Sequence, residues 1–139
     1  MSVSAGSLKV GDSKELLLVD DLTRTQIVMY AGASGDYNPL HSDEKFAREV
    51  AGYPGIFAHG MLTMGMTGRV LTDWFGVEGL ASYGVRFVKQ VFPGDTLTAT
   101  ATVTAVRDEG GQRLADLEVS TVNQDGDVVL TGTATARLA

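Results

Sequence analysis

The sequence predicts an α+β domain in which an antiparallel sheet wraps one long, apolar helix. Two observations carry this. Residues 57–76, "FAHGMLTMGMTGRVLTDWFG", are apolar nearly all round, as in a helix buried on most sides. The C-terminal half then falls into apolar/polar alternations separated by glycine-rich turns, the signature of strands with one buried face.

The elements follow in order. "KELLLVD" (14–20) reads as a first strand. In "LTRTQIVMYAGASG" (22–35), Thr23 and Gln26 have capping-box spacing, Ile27, Tyr30 and Ala31 share a helical face, and the glycines end the helix. Ser42 is placed to cap a second short helix, "DEKFAREVAG", with Gly52 as its stop and Pro54 just beyond. In the long helix, Gly60, Gly65 and Gly68 each cost about 1 kcal/mol of propensity relative to alanine. For Gly65 and Gly68 that implies tight packing under the sheet; Met61, Met64 and Met66 are expected in the core. Gly60 stands apart, at the helix start beside His59.

Strands follow. "LASYGVRFVKQV" (80–91) aligns Tyr83, Val85 and Phe87, and "TLTATATVTA" (96–105) alternates threonine with Leu97, Ala99, Ala101, Val103 and Ala105. "RDEGGQ" turns the chain into "RLADLEVSTV", and "NQDGD" turns it into "VVLTGTATARLA", where Leu130, Ala134, Ala136 and Leu138 share a face. With no repeat or linker, residues 1–139 are expected to form a single domain.

Composition excludes several functions. The absence of cysteine rules out disulfides and thiolate chemistry, and two histidines with scattered acids give no evident metal-ligand cluster, so no metal or cofactor is expected. The net charge of −6 with only scattered lysine and arginine argues against nucleic acid. No long apolar run precedes residue 15, so neither a signal peptide nor a membrane span is expected, and the cytoplasm is the expected compartment. Arg86 and Lys89 read as solvated surface.

Candidate chemistry centres on "SGDYNPLH" (34–41). Pro39 biases Asn38 away from helix, so Asp36 and His41 sit on a kinked loop that can aim both at one point. A carboxylate beside an imidazole is an acid/base couple suited to neutral pH, and Asn38 can support it. At the start of the long helix, in "FAHGM", the free N–H of Gly60 suits an oxygen developing negative charge, with His59 as a cap or packing group there. Together these suggest chemistry beside a carbonyl, in which water is added or removed.

These stretches carry a resemblance. "YAGASGDYNPLHSDEKFA" resembles the signature of the MaoC-like (R)-specific enoyl hydratases and (3R)-hydroxyacyl-thioester dehydratases, the hydratase 2 family. "IFAHGMLTMGM" and "VRFVKQVFPGDTLTATATV" resemble the helix opening and strand-turn-strand that follow in that family. Within it, the likeness extends to the catalytic subunit of the (3R)-hydroxyacyl-carrier-protein dehydratases of mycolic-acid synthesis. The resemblance implies a hot-dog fold and a dimer, homo- or heterodimeric with a related hot-dog subunit, with sheets joined edge to edge. It implies Asp36 and His41 as the catalytic dyad, Asn38 as support and Gly60 as N–H donor to a thioester carbonyl; His59 is matched in position without an implied catalytic role. The implied reaction is reversible hydration of (2E)-enoyl thioesters of coenzyme A or acyl carrier protein. Two alternatives stand beside it: a hot-dog acyl-CoA thioesterase, or a catalytic subunit active only beside a non-catalytic acyl-binding partner.

Overall fold

A computed structural model describes residues 6–139; residues 1–5 of the expected domain lie outside the described residues. Five strands form one antiparallel sheet in the order β1-β3-β4-β5-β2: β1 (Ser13–Val19), β2 (Leu80–Phe87), β3 (Leu97–Glu109), β4 (Gln112–Val122) and β5 (Val128–Arg137). The chain leaves β1 at one edge and returns as β2 at the other. Between them run helix α1 (Arg24–Ser34), a 3-10 turn (Pro39–His41), a π-helical turn (Phe46–Val50) and helix α2 (Gly60–Phe75). The antiparallel sheet packed against α2 is the hot-dog arrangement that the resemblance implies.

The alternating pattern works as expected in the core strands. Leu97, Ala99, Ala101 and Val103 of β3 are buried, as are Leu130, Ala134 and Ala136 of β5, and they meet Val70, Leu71 and Phe75 of α2. The small side chains of Ala99, Ala101, Ala134 and Ala136 on the sheet side let the helix backbone approach closely. The alternation stops short of Ala105: the β3–β4 register shifts between Val103 and Ala105, a bulge that leaves Thr104 exposed and Ala105 half-buried. The β3–β4 hairpin turns through Gly110 and Gly111, both at positive φ (58° and 80°), as a two-residue turn requires.

Three details differ from expectation and one, the start of α2, agrees with it. The short helix after the 3-10 turn is capped by Asp43, whose Oδ1 accepts the Phe46 N–H at 3.1 Å, and not by Ser42. The long helix starts at Gly60, where the sequence places its start, and Phe57 to His59 ahead of it are drawn extended, with the Ala58 N–H on the Val91 carbonyl at 2.7 Å. β2 ends at Phe87; beyond it, the Val88 and Lys89 N–H groups converge on one carbonyl, that of Val129. Finally, α2 is buried along one stripe only. Met61 is 56% exposed, a Cβ on Gly65 would meet nothing, and one on Gly68 would reach only the Tyr83 ring at 3.4 Å. Met64 and Met66 are partly buried against the core. The uncovered side of α2 and the neighbouring edge strand β2 form an apolar groove of about 340 Å³ lined by Met61, Met64, Gly65, Gly68, Leu80 and Tyr83. Among the described residues, no helix is long and apolar enough to cross a membrane.

Candidate active site

The capping box expected at Thr23 and Gln26 is present, so α1 starts firmly and runs to Gly35, which closes it in the left-handed conformation (φ 75°). The chain then enters a loop built from its own polar side chains. Ser34 Oγ accepts the Asp36 N–H, Asp36 Oδ1 accepts the Asn38 N–H, and Asn38 Oδ1 accepts the Leu40 N–H, at 3.0–3.2 Å. Such Asx-type bonds replace a backbone ladder where proline forbids one. Asn38 thus supports the loop by capping the 3-10 turn that ends in His41.

His41 points inward and is 9% exposed. Its Nδ1 lies 2.6 Å from the Phe57 carbonyl oxygen. A carbonyl only accepts, so Nδ1 carries a hydrogen, and in the neutral ring Nε2 is the nitrogen with the lone pair. His59 is 2% exposed and anchored by its other nitrogen, Nε2, which donates to the backbone oxygen of Asp36 at 3.0 Å. It occupies the N-cap position of α2 but makes no side-chain cap bond. The two imidazoles stack, with centroids 3.8 Å apart. Tyr30 meets the His59 ring edge-on, and Phe57 meets that of His41. Asp36 itself is exposed.

The segments carrying the two histidines are laced together. The Phe57 N–H donates to the Leu40 carbonyl at 3.2 Å, and the Ile56 N–H to Glu44 Oε2 at 3.1 Å. Glu44 also pairs with Arg24 of α1, and this guanidinium hydrogen bond holds its carboxyl below the usual range against the opposing effect of burial, with the Ile56 N–H assisting. The composition suggested scattered acids, yet Asp36, His41 and His59 each present a potential ligand atom within 4.8 Å of the others. Distance alone does not make a metal site of them. Stacked, nearly parallel rings send their in-plane lone pairs side by side, whereas one ion needs them to converge about 2.0–2.1 Å from each nitrogen.

Gly60 opens α2 beside this cluster. Among the described residues nothing accepts its N–H, as expected for the first donor of a helix. It borders a cavity of about 250 Å³, lined also by Phe57, Ala58, Thr63, Phe87 and Val91. A larger depression of about 700 Å³ lies on the outer face of the sheet, among threonines with Arg86 and Glu118, and includes neither Asp36 nor His41. Lys89 is paired with Asp127 at 2.6 Å.

The structure therefore brings Asp36, His41 and His59 together, with Asn38 bracing their loop; Gly60 follows His59 in the chain, and the cavity it borders is lined by none of the other four. Glu44 and Phe57, which position them, went unseen: a glutamate on a short polar helix reads as solvated surface, and the group that Phe57 contributes is a backbone carbonyl. The "PGD" run is structural, since Asp95 accepts the Phe92 N–H and a Gln124 amide hydrogen while its carbonyl takes the Leu22 N–H.

Residues 9–124 match the MaoC like domain. The 3-hydroxyacyl-thioester dehydratase Y of Mycobacterium tuberculosis is 42% identical over 58% of this chain, but the match spans only 29% of that protein. The (R)-specific enoyl-CoA hydratase of Aeromonas caviae is 32% identical over 98% of this chain and 99% of its own length. The crystal structure of the ChsH1-ChsH2 complex from Mycobacterium tuberculosis superposes with a TM-score of 0.79 at 28% identity, covering 94% of this chain and 98% of that one. The chain belongs to the MaoC-like dehydratase domain family.

Proposed function

We propose that the chain is a hydro-lyase that adds water reversibly to (2E)-enoyl thioesters of coenzyme A or acyl carrier protein, giving (3R)-hydroxyacyl thioesters. The observation that carries this reading is the convergence of Asp36 and His41 beside an unclaimed backbone donor. With Nδ1–H of His41 held by Phe57, its Nε2 is an acceptor, and so is the Asp36 carboxylate. Two acceptors suit one water, which donates a hydrogen to each. Its oxygen adds to C3, the proton that it gives up enters the dyad, and one proton is returned at C2. Charge that builds on the thioester oxygen meets the Gly60 N–H, a contribution of the kind worth about 10²–10³ in rate. The names of the relatives, hydratases and dehydratases, support the same reaction class.

The uncovered face of α2 and the free edge of β2 suit a second hot-dog subunit, either a copy or a related chain. The ChsH1-ChsH2 structure is of a complex, which favours testing this chain with a related partner as well as alone.

The test follows loss of conjugated enoyl absorbance with trans-2-enoyl-CoA substrates of increasing length, with Asp36→Asn and His41→Gln in parallel and chiral analysis of product. Formation of the (3R)-hydroxyacyl thioester, lost in both variants, supports the reading. Release of free thiol would instead mark a thioesterase. Folded protein inactive at every length, on either carrier and with candidate partner subunits, would remove it.

A further inference from the structure

His59 has no part in the chemistry above, yet it touches both members of the dyad. Its Nε2–H holds the backbone of Asp36, and its ring lies against that of His41. Tyr30, edge-on at 4.8 Å, fixes its ring. Two local rules are broken to place it there. The N-cap of a long helix favours a short polar side chain that bonds the first turn, and His59 makes no such bond. Its Nδ1 is also buried without a hydrogen-bond partner, the one such side-chain atom among the described residues. Departures of this kind concentrate where function over-rides local preference.

We propose that His59 is a positioning residue that locks the Asp36/His41 pair from behind, with the two histidines held in opposite tautomers. His41 carries its hydrogen on Nδ1 and spends it on Phe57; His59 carries its own on Nε2 and spends it on Asp36. The Asp36 loop has no strand or helix to hold it, only short-range turns, and His59 is its tie to the start of α2. The stacked ring sets the plane in which His41 presents Nε2. This assignment rests on the hydration reading.

The test uses His59→Phe, which keeps an aromatic face without the donor, and His59→Gln, which keeps an N–H donor of similar reach. In His59→Phe, kcat on an enoyl-CoA substrate should fall about 10- to 100-fold with KM changed less than about twofold, since misplacement acts on the reacting geometry. His59→Gln should recover part of that loss. Wild-type rates in His59→Phe, or a glutamine variant no better than the phenylalanine one, would overturn the donor role. A second readout does not need turnover. Because the chain has two histidines, ¹⁵N spectra of the labelled imidazoles resolve both rings. One ring should be protonated at Nδ1 and the other at Nε2, and the Nδ1-protonated His41 signals should shift or broaden in His59→Phe. Identical tautomers, or an unmoved His41 signal, would overturn the proposal whether or not the protein hydrates enoyl thioesters; inactivity with the opposite tautomers present would count against the reaction alone.

Discussion

The imidazole of His41 lies flat against that of His59, with planes 26° from parallel and centroids 3.8 Å apart. The two rings come from loops far apart in sequence, and each ring is bonded to the backbone of the other's loop: His41 to Phe57, His59 to Asp36. The Asp36/His41 pair is therefore held by loop-to-loop lacing and not by the sheet. The sheet positions α2, α2 positions His59 and Gly60, and the lacing does the rest.

Glu44 gives this lacing a pH dependence. Its carboxylate joins Arg24 of α1 to the Ile56 N–H, and the Arg24 contact holds its pKa below the ordinary value. A depressed carboxyl stabilises the fold above the unfolded value, near 4.5, and that contribution is lost as pH falls through the lower folded value. The melting temperature of the wild-type protein should drop more steeply than that of Glu44→Gln as pH falls below about 4.5. Parallel curves would show that Glu44 is not coupled to folding.

Gly60 should separate stability from activity. A Cβ there would stand 3.1 Å from the Phe87 ring, closer than ordinary contact, at the rim of the cavity. Phe87 is half-exposed and free to give way. Gly60→Ala should therefore fold with stability equal to wild type or higher by up to about 1 kcal/mol, through reduced unfolded-state entropy. Turnover should fall about tenfold or more, because the displaced ring and the new methyl crowd the donor. Adding Phe87→Leu should restore part of it; a denaturant melt and the enoyl assay on the three proteins check both halves.

Most of the fold was legible because its signals are local. Period-two alternation marked β3, β4 and β5, the capping box marked α1, and paired glycines marked the hairpin. Around the candidate site, the loop geometry at Asp36 and His41 and the free N–H of Gly60 were legible, since proline and a helix start dictate these within a few residues. What stayed hidden depends on distant partners. The apolar circumference of α2 suggested burial all round, but Met61 and Gly65 face away from the sheet, on the groove that suits a second subunit. The bond from His59 to Asp36 spans 23 residues, and no period or spacing encodes it.

Thr67 of α2 and Thr121 of β4 offer a direct measure of a polar pair inside the core. Both are fully buried, and their hydroxyls lie 2.7 Å apart. Removing one hydroxyl strands the other in an apolar setting, so Thr67→Val and Thr121→Val should each cost about 1–3 kcal/mol. The double variant should cost less than the sum, because it leaves no stranded hydroxyl. A double-mutant cycle in urea checks this, and strict additivity would mean that the pair makes no net bond.

Tyr83 reports on the groove beside α2. Its hydroxyl donates to the Met64 carbonyl at 2.9 Å, and partial burial pushes its pKa up to about 12. The neutral phenol is the favoured form, so the associated stability is fully present below the unfolded value of 10.0 and lost as pH rises through about 12. An alkaline absorbance titration should show a late-ionising phenol that is missing in Tyr83→Phe. That substitution removes one half-buried hydrogen bond, and its cost should be about 0.5–1.5 kcal/mol. If a second subunit covers the groove, burial of Tyr83 deepens on association, and the late step should move higher as protein concentration rises. A concentration-independent late step, with light scattering showing a monomer throughout, would place the partner surface elsewhere.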